Sequence, residues 1–152
     1  MTMTTPLADF TLPATGGAPF SLGDARGKIV VLYFYPRDST PGCTTEAQRF
    51  RDLYPEFARA GAIIVGVSRD SLKSHENFKA KQALPFDLIS DADEMLCARF
   101  GVIKQKKLYG KEVRGIERST FVIGTDGCLK REWRGVKVPG HAEEVLNFVR
   151  AL

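Results

Sequence analysis

The chain alternates between short continuous apolar runs and amphipathic stretches, a pattern typical of α/β proteins. The runs at 28–36 and 62–68 are nearly unbroken and rich in β-branched and aromatic residues, as strands buried on both faces are. Between them, the apolar residues of 44–60 recur at steps of three and four, which predicts an amphipathic helix that ends at Gly61. The sequence therefore predicts a strand–helix–strand unit in the first half of the chain.

Weaker local signals complete the predicted order of elements. Turn-forming residues between two short apolar segments predict a hairpin near the N-terminus, and the sequence TDG predicts another near the C-terminus. The further predicted elements are, in chain order, a hairpin in 9–22, a helix from Ser71 through Leu84, a strand at 86–90, a helix over 91–102 with acidic residues in its first turn, a Lys-rich loop, a hairpin over 118–135 and a helix over 141–152.

This order predicts an α/β fold with a mixed central sheet, because parallel units are followed by an antiparallel pair. Helices are expected on both faces of the sheet, with a β-hairpin at the N-terminus. The arrangement resembles the thioredoxin fold with an N-terminal hairpin and an inserted helical segment. No repeat or linker-like segment interrupts the pattern, so residues 1–152 are expected to form one domain.

Composition narrows the class of protein. The 152 residues are 43% hydrophobic and 26% charged, which excludes a disordered chain and a small disulfide scaffold. The longest apolar run has the length of a strand, whereas a membrane span needs about 20 residues. The N-terminus has neither the basic patch nor the apolar core of a signal peptide. We therefore expect a cytoplasmic protein with no contact to a membrane.

The net charge of +4 is mildly basic, and basic residues occur in two local runs. Because Gly and Tyr interrupt these segments and strands bound them, they are expected to be a solvated loop and the exposed face of a hairpin. No zinc or RNP signature accompanies them, so nucleic-acid binding is not expected. The basic residues concerned are Lys104, Lys106, Lys107, Lys111, Lys130, Arg131 and Arg134.

The three cysteines are an odd number at wide spacings and contain no C-x-x-C, so neither a disulfide framework nor a zinc site is expected. His75 and His141 are far apart in the chain, and each lies near the start of a predicted helix. Either could act as a base, but both are expected to be surface or capping residues. No metal is expected.

Cys43 differs from the other cysteines because it follows a Pro–Gly turn at the start of the predicted helix. Unpaired N–H groups and the positive end of the helix dipole favour a thiolate there. Thr40, three residues earlier, stands where a dithiol motif has its second cysteine, and it offers a hydroxyl instead. Glu46 can complete a capping box or orient a distant arginine, and Pro36 can shield the sulfur from water. The alternative is an inert, buried cysteine.

The segment PRDSTPGCTTE at 36–46 resembles the peroxiredoxin signature P-x-x-x-T-x-x-C. The chain as a whole resembles the bacterioferritin comigratory, or Q-type, subgroup, including the segments at 74–78, 84–91 and 115–123. This resemblance implies a peroxidase that needs no cofactor. The positions that match the site of the family are Cys43 as the peroxidatic nucleophile, Thr40, Pro36, Arg118 as the active-site arginine, and Glu46 as a glutamate that helps to hold it.

The implied reaction is attack of the Cys43 thiolate on hydrogen peroxide or an alkyl hydroperoxide, which leaves a sulfenic acid. Many Q-type members have a resolving cysteine five residues later, where this chain has Gln48, or on the next helix, where the segment 74–81 has none. A one-cysteine cycle is therefore predicted, with thioredoxin, glutaredoxin or a small thiol as reductant. Cys97 and Cys128 stay open as resolving residues, although each is more readily explained as a packed or turn residue.

Two other functions are weighed against the peroxidase. A redox-sensing or interaction domain would be oxidised at Cys43 with little turnover, and a thiol–disulfide oxidoreductase is disfavoured by Thr40. Tyr33, Phe34 and Phe20 are expected to form the apolar wall around the thiol, although core packing explains them equally. The family resemblance also suggests a monomer.

Overall fold

A computed structural model describes residues 5–152, with residue 108 described by its backbone alone. The first four residues lie outside the described residues. The expectation of one domain over 1–152 and the expectation of no signal peptide both include these four residues. Within this range the strands are β1 Thr11–Leu12, β2 Phe20–Ser21, β3 Ile29–Phe34, β4 Ala62–Ser68, β5 Asp87–Ser90, β6 Ile103–Leu108, β7 Lys111–Ile116, β8 Ser119–Ile123 and β9 Leu129–Arg134. The α-helices are α1 Pro41–Arg59, α2 Leu72–Gln82, α3 Met95–Phe100 and α4 His141–Arg150.

The central sheet has the strand order β5-β4-β3-β8-β9. Strands β3, β4 and β5 are parallel, whereas β8 pairs antiparallel with both β3 and β9. The strands β1 and β2 form a separate antiparallel hairpin. The predicted mixed sheet with an N-terminal hairpin is therefore confirmed. Over residues 5–152, no helix is both long and apolar enough to cross a membrane.

The sheet separates two hydrophobic cores, and β3 contributes alternate residues to each. On one face, Val31 and Tyr33 pack with residues of α1, α2 and α4. On the other face, Leu32 packs with residues of α3 and of the N-terminal segment. Helices thus cover both faces, as predicted, and every residue of β3 is buried.

Two predicted boundaries next to the loop before α1 are wrong. Strand β3 ends at Phe34, before Pro36. Helix α1 begins at Pro41 rather than near Thr44, because proline is well suited to the first turn of a helix, where its missing N–H is not needed. Cys43 therefore lies inside the first turn.

The helix predicted over 91–102 is only Met95–Phe100, and no acidic residue lies in its first turn. The Asp91 carboxylate instead caps it from outside, since it accepts hydrogen bonds from the N–H groups of Leu96 at 3.0 Å and Cys97 at 2.7 Å. Acidic residues do mark the start of this helix, as predicted. The carboxylate that binds the first N–H groups, however, comes from Asp91 in the preceding loop and not from the helix itself.

The Lys-rich segment is not a loop but an antiparallel hairpin of β6 and β7. Its turn uses Tyr109 and Gly110, both with positive φ (52° and 76°), as a type I′ turn requires. Residues 104–107 and 109–114 are exposed. Because both faces of the hairpin meet water, the alternation of apolar and polar residues that marks a half-buried strand is missing from this segment.

Candidate active site

The Cys43 thiol lies in the first turn of α1 and is only 2% exposed. Thr40 is the residue that precedes the helix, and its carbonyl accepts the first helical hydrogen bond from Thr44 N–H at 2.9 Å. The first N–H groups of a helix have no helical partner, and they give this end of the helix a partial positive charge. Cys43 is therefore held where an anion is stabilised.

Arg118 connects the thiol to a buried carboxylate. It lies between β7 and β8, its Nη2 donates to Cys43 Sγ at 3.5 Å, and its Nη1 donates to Glu46 Oε1 at 2.7 Å. Burial alone would lower the pKa of Arg118, but the charges of Glu46 and Cys43 raise it above the ordinary value. The guanidinium is therefore a permanent cation that contacts the sulfur.

Glu46 is one helical turn after Cys43, and its side chain is 2% exposed. Burial raises the pKa of Glu46 to about 7, although the charge and hydrogen bond of Arg118 oppose this rise. Among residues 5–152, no hydrogen-bond partner reaches its second oxygen, Oε2. Of the two predicted roles for Glu46, the structure contains the contact with an arginine, and Thr40 makes no side-chain capping bond to the helix.

Gly42 is a residue of the site that the sequence reasoning treated only as part of a turn. A Cβ atom at Gly42 would lie 3.2 Å from Arg118 Nη2, closer than ordinary van der Waals contact. The missing side chain therefore lets the guanidinium approach the first turn of α1. The signal in the sequence was the glycine directly before the cysteine, within a helix where glycine is unfavourable.

Thr40 and Pro36, the other two predicted site residues, lie on the loop between β3 and α1. The Thr40 hydroxyl donates to the carbonyl of Arg37 at 2.9 Å, so its proton is used within the loop and not for the sulfur. Thr40 is half-buried, while Pro36 is exposed two residues after the end of β3.

The predicted aromatic wall is only partly correct. Tyr33 belongs to the same core as Cys43. Phe34 and Phe20 pack in the core on the opposite face of the sheet. Phe34 is separated from the thiol because successive residues of a strand point to opposite faces.

His75, expected at the surface, is completely buried beside the loop that precedes Cys43. Its Nδ1 lies 2.7 Å from Asp38 Oδ2, and its Nε2 lies 2.9 Å from the carbonyl oxygen of Ile89, which can only accept. Asp38 also accepts hydrogen bonds from the hydroxyls of Tyr35 at 2.6 Å and Ser74 at 2.8 Å. Burial acts to raise the pKa of Asp38, but the hydrogen bonds and charge of His75, with those hydroxyls, hold it below the ordinary value.

Asp38 and His75 also belong to a group of three possible metal ligands. Side-chain atoms of Asp38, Asp70 and His75 lie within 4.8 Å of one another. Both ring nitrogens of His75 are already engaged, however, one with Asp38 and one with the Ile89 carbonyl. The group is therefore satisfied as a hydrogen-bond network, and the arrangement does not favour a metal site.

His141 is likewise buried rather than exposed, with its Nε2 2.8 Å from the Thr120 hydroxyl. Its ring packs edge-on against Phe50 and Trp133. Burial lowers the pKa of His141 to about 4, so the ring is neutral near pH 7. Both histidines were predicted wrongly because partners from distant elements allow a polar ring to be buried.

The two remaining cysteines are free and buried. Cys97 packs in the core on the opposite face of the sheet from Cys43, and burial together with Asp91 raises the pKa of its thiol strongly. Cys128 lies beyond the far end of β8, where its carbonyl accepts from Gly124 N–H. Gly124 is six residues from Arg118, so Cys128 lies roughly 20 Å along the strand from the site.

A shallow groove of about 410 Å³ adjoins the first turn of α1, on the side that faces the loop before α4. Most of its surface is apolar. Its lining residues are Pro41, Gly42, Thr45, Arg49, Val138, Pro139 and Gly140.

Comparisons with known proteins identify the family to which the chain is similar. A model of the AhpC/TSA family matches residues 3–132. Peroxiredoxin Bcp of Xanthomonas campestris is 55% identical over 148 residues, which cover 96% of this chain and 92% of that protein. Peroxiredoxin Bcp of Bacillus subtilis is 50% identical over 142 residues, covering 93% and 90%. A structure that addresses the alkyl peroxide reduction activity of the X. campestris bacterioferritin comigratory protein has a TM-score of 0.90 at 54% identity, with 93% and 90% of the chains covered.

Proposed function

The chain belongs to the AhpC/TSA family as a Bcp-type peroxiredoxin, a thiol peroxidase with a thioredoxin-like fold, and from this premise we propose that it reduces organic hydroperoxides and hydrogen peroxide at Cys43. The observation that carries the proposal is the 3.5 Å contact between Arg118 Nη2 and Cys43 Sγ at a helix N-terminus. A thiolate held in this way is both nucleophilic and within reach of a cation that can bind a peroxide oxygen.

The Cys43 thiolate attacks the terminal oxygen of the peroxide, so that an S–O bond forms while the O–O bond breaks. The products are a Cys43 sulfenic acid and a hydroxide or alkoxide, which takes up a proton from water. Negative charge moves from the sulfur to the leaving oxygen during this step. Arg118 contacts the sulfur and can follow the charge onto the oxygens, which stabilises the transition state more than the thiolate.

The other proposed site residues act on the positions of these groups. Glu46 holds Arg118 through a 2.7 Å bond from Nη1, the terminal nitrogen that does not contact the sulfur. Thr40 offers its hydroxyl to a bound peroxide oxygen once the peroxide competes with the Arg37 carbonyl. Pro36 keeps water from the thiol when a substrate is bound.

The groove beside α1 supports an organic hydroperoxide as substrate. Its lining includes Pro41 and Gly42, the two residues that precede Cys43 in the first turn of α1, and its mainly apolar surface suits an alkyl group. The X. campestris relative at 54% identity has an alkyl peroxide reduction activity, which agrees with this assignment. Hydrogen peroxide needs only the polar part of the site.

The sulfenic acid is proposed to be recycled by an external thiol. Cys97 lies on the other side of the sheet and Cys128 at the far end of β8, whereas a disulfide needs Cα atoms within about 7 Å. Two donor thiols then reduce the sulfenic acid to a thiol, forming one disulfide and one water molecule. Thioredoxin, glutaredoxin or a small thiol can supply them, and a reducing compartment such as the cytoplasm suits three free cysteines.

Intact-mass spectrometry after one equivalent of peroxide tests this proposal, with and without dimedone. We expect a gain of one oxygen that dimedone traps, in the wild type and in the Cys97→Ala/Cys128→Ala variant, and none in Cys43→Ser. A loss of two hydrogens in the wild type alone would assign a resolving role to Cys97 or Cys128. Oxidation of Cys43 without continuous peroxide consumption in the presence of any thiol donor would indicate a sensor instead.

A further inference from the structure

The hairpin of β6 and β7 carries a surplus of charge equal to that of the whole chain. Residues 103–116 contain five basic residues and one acidic residue, and the net charge of all 152 residues is +4. The rest of the chain is therefore electrically balanced. At the tip of the hairpin, Tyr109 is 96% exposed, which is unusual for so large an aromatic side chain.

The two faces of the hairpin differ. Lys104 lies opposite Gly115 in the hairpin, Lys106 opposite Val113, and residue 108 opposite Lys111. Opposite residues point to the same face and side chains alternate along a strand, so the three lysines share one face. We call Lys104, Lys106 and Lys111 the basic face. Over the described part of the chain, no carboxylate lies within ion-pair distance of these three lysines.

The opposite face is tied to the body of the protein. Arg114 lies on this face and forms a bidentate pair with Glu94, which also binds Arg69 at 3.0 Å. These two arginines lower the pKa of Glu94 to about 2. The contact fixes the direction of the hairpin, so that the basic face is presented to solvent.

We propose that the basic face docks the protein thiol donor that reduces Cys43, and that this donor has an acidic surface around its thiol. This inference rests on the proposed function, because a one-cysteine cycle requires a donor at every turnover. Lysines without an acidic partner among the described residues attract an acidic surface by charge complementarity. The neighbouring Val113 and Tyr109, both exposed, offer apolar contact of the kind found at interfaces.

The position of the hairpin supports this role. Its base ends at Ile116, two residues before Arg118, and Lys104 pairs with Gly115. The chain between Gly115 and Arg118 spans at most about 11 Å, and the neighbouring strand adds about 5 Å. A standard interface buries about 800 Å² on each partner, a patch with a radius of about 16 Å. A protein that reaches the thiol beside Arg118 therefore covers the Lys104 end of the basic face.

Other occupants fit less well. A second copy of the chain would bring the same surplus of positive charge against the basic face. A nucleic acid is usually held by six to ten phosphate contacts, whereas this face offers three lysines, and the arginine of the hairpin is held by Glu94. A compact acidic patch on a protein matches three lysines in number and in extent.

The test compares Lys104→Glu/Lys106→Glu/Lys111→Glu with the control Lys28→Glu/Lys73→Glu/Lys81→Glu, which changes the net charge equally at exposed lysines elsewhere. Turnover of peroxide is measured with an acidic thioredoxin and with dithiothreitol. Binding is measured by fluorescence anisotropy with a labelled thioredoxin whose thiols are replaced by serine, and with a labelled DNA duplex. Thermal unfolding and the rate of Cys43 oxidation verify that each variant is folded and reactive.

We expect the basic-face variant to lose about 10- to 100-fold in kcat/KM for the thioredoxin at low salt, with weaker binding and an unchanged rate with dithiothreitol. The loss should shrink as salt screens the charges. A change below twofold, an equal loss in the control, or turnover of the wild type with small thiols alone would overturn the inference. Binding of DNA through the same lysines without an effect on thioredoxin would also overturn it. Should peroxide fail to oxidise Cys43, the peroxidase proposal falls, and the binding measurement still decides the role of the basic face.

Discussion

Two buried ionic clusters adjoin the loop between β3 and α1, and they are built differently. The thiol cluster consists of Cys43, Glu46 and Arg118, and the loop cluster of Tyr35, Asp38 and His75, joined by Ser74. Each buries a carboxylate beside a basic side chain. In the loop cluster both oxygens of the carboxylate accept hydrogen bonds, whereas in the thiol cluster the second oxygen of the carboxylate has no partner among the described residues.

The difference indicates that the loop cluster anchors the backbone, whereas the thiol cluster serves the reaction. A fully satisfied buried network is rigid, and breaking it leaves a charge without compensation. The loop cluster therefore fixes the loop at Asp38, next to Ser39, whose left-handed backbone (φ 63°) is unfavourable for a residue with a side chain. In the thiol cluster the guanidinium contacts the sulfur at 3.5 Å, an ordinary length for a hydrogen bond to sulfur, and a substrate oxygen can accept from the same group.

The strongest test of the comparison is to remove the ring that compensates Asp38. His75→Phe leaves a buried carboxylate with two hydroxyl donors and an unpaired Ile89 carbonyl, so the free energy of unfolding should fall by about 3 kcal/mol. Chemical denaturation measures this loss, with His75→Gln as the variant that can restore one hydrogen bond. A variant as stable as the wild type, but with a much slower oxidation of Cys43, would show that the loop cluster belongs to the chemistry.

The opposite result is expected in the thiol cluster. Arg118→Gln removes the cation that follows the charge from sulfur to oxygen, so the rate of peroxide reduction should fall about 10²–10³-fold. The melting temperature should change by only a few degrees, because Glu46 can take up a proton instead of staying buried as an unpaired charge. Stopped-flow oxidation measures the rate. Arg114→Gln, which breaks an exposed pair with Glu94, is the matched control and should leave the rate unchanged.

The raised pKa of Glu46 gives the thiol cluster a pH dependence. Near pH 6 the folded protein keeps a proton on Glu46 that the unfolded chain has released, since the pKa is about 7 in the fold against an ordinary value of 4.5. Stability should therefore fall as pH rises from about 4.5 to 7, by about 1–3 kcal/mol relative to Glu46→Gln. Denaturation at several pH values measures the difference. A difference that is independent of pH would show that Glu46 is ionised throughout.

The smallest effect is expected at Gly42. Gly42→Ala adds a methyl group 3.2 Å from Arg118 Nη2, so the guanidinium has to move by a few tenths of an ångström. The rate of Cys43 oxidation should fall a few-fold, while stability should rise by up to about 1 kcal/mol because alanine favours a helix. Gly115→Ala, where the nearest side-chain atom is 3.9 Å away, is the control. A rate that does not change would mean that the arginine is held less closely than its contacts indicate.

The strands of the central sheet and α1 could be predicted because their signals are local. The unbroken apolar run of β3 and the steps of three and four in α1 follow from burial of one or two faces. The hairpin of β6 and β7 could not be predicted, since neither of its faces is buried and its turn is Tyr–Gly rather than the usual Asn–Gly. Propensity alone does not distinguish such a ribbon from a loop.

The site was predictable in part, for a different reason. Cys43 could be singled out from its place after a Pro–Gly turn at a helix start, which is local information. Arg118 is 75 positions away, and only a family resemblance pointed to it. His75 and Asp38 were missed because their burial depends on partners from α2 and β5, which no spacing rule brings together.

The confinement of all surplus charge to one projecting hairpin also has a colloidal consequence. Like-charged molecules repel and stay dispersed, and the ribbon of β6 and β7 carries the whole surplus of positive charge, because the other residues of the chain include as many acidic as basic ones. An anion or acidic partner that neutralises the ribbon therefore brings the net charge of the whole protein to about zero. The solubility of the protein at high concentration thus depends on whether an anion is bound to residues 103–116. The turbidity of the solution should rise when polyphosphate is added in near-stoichiometric amounts.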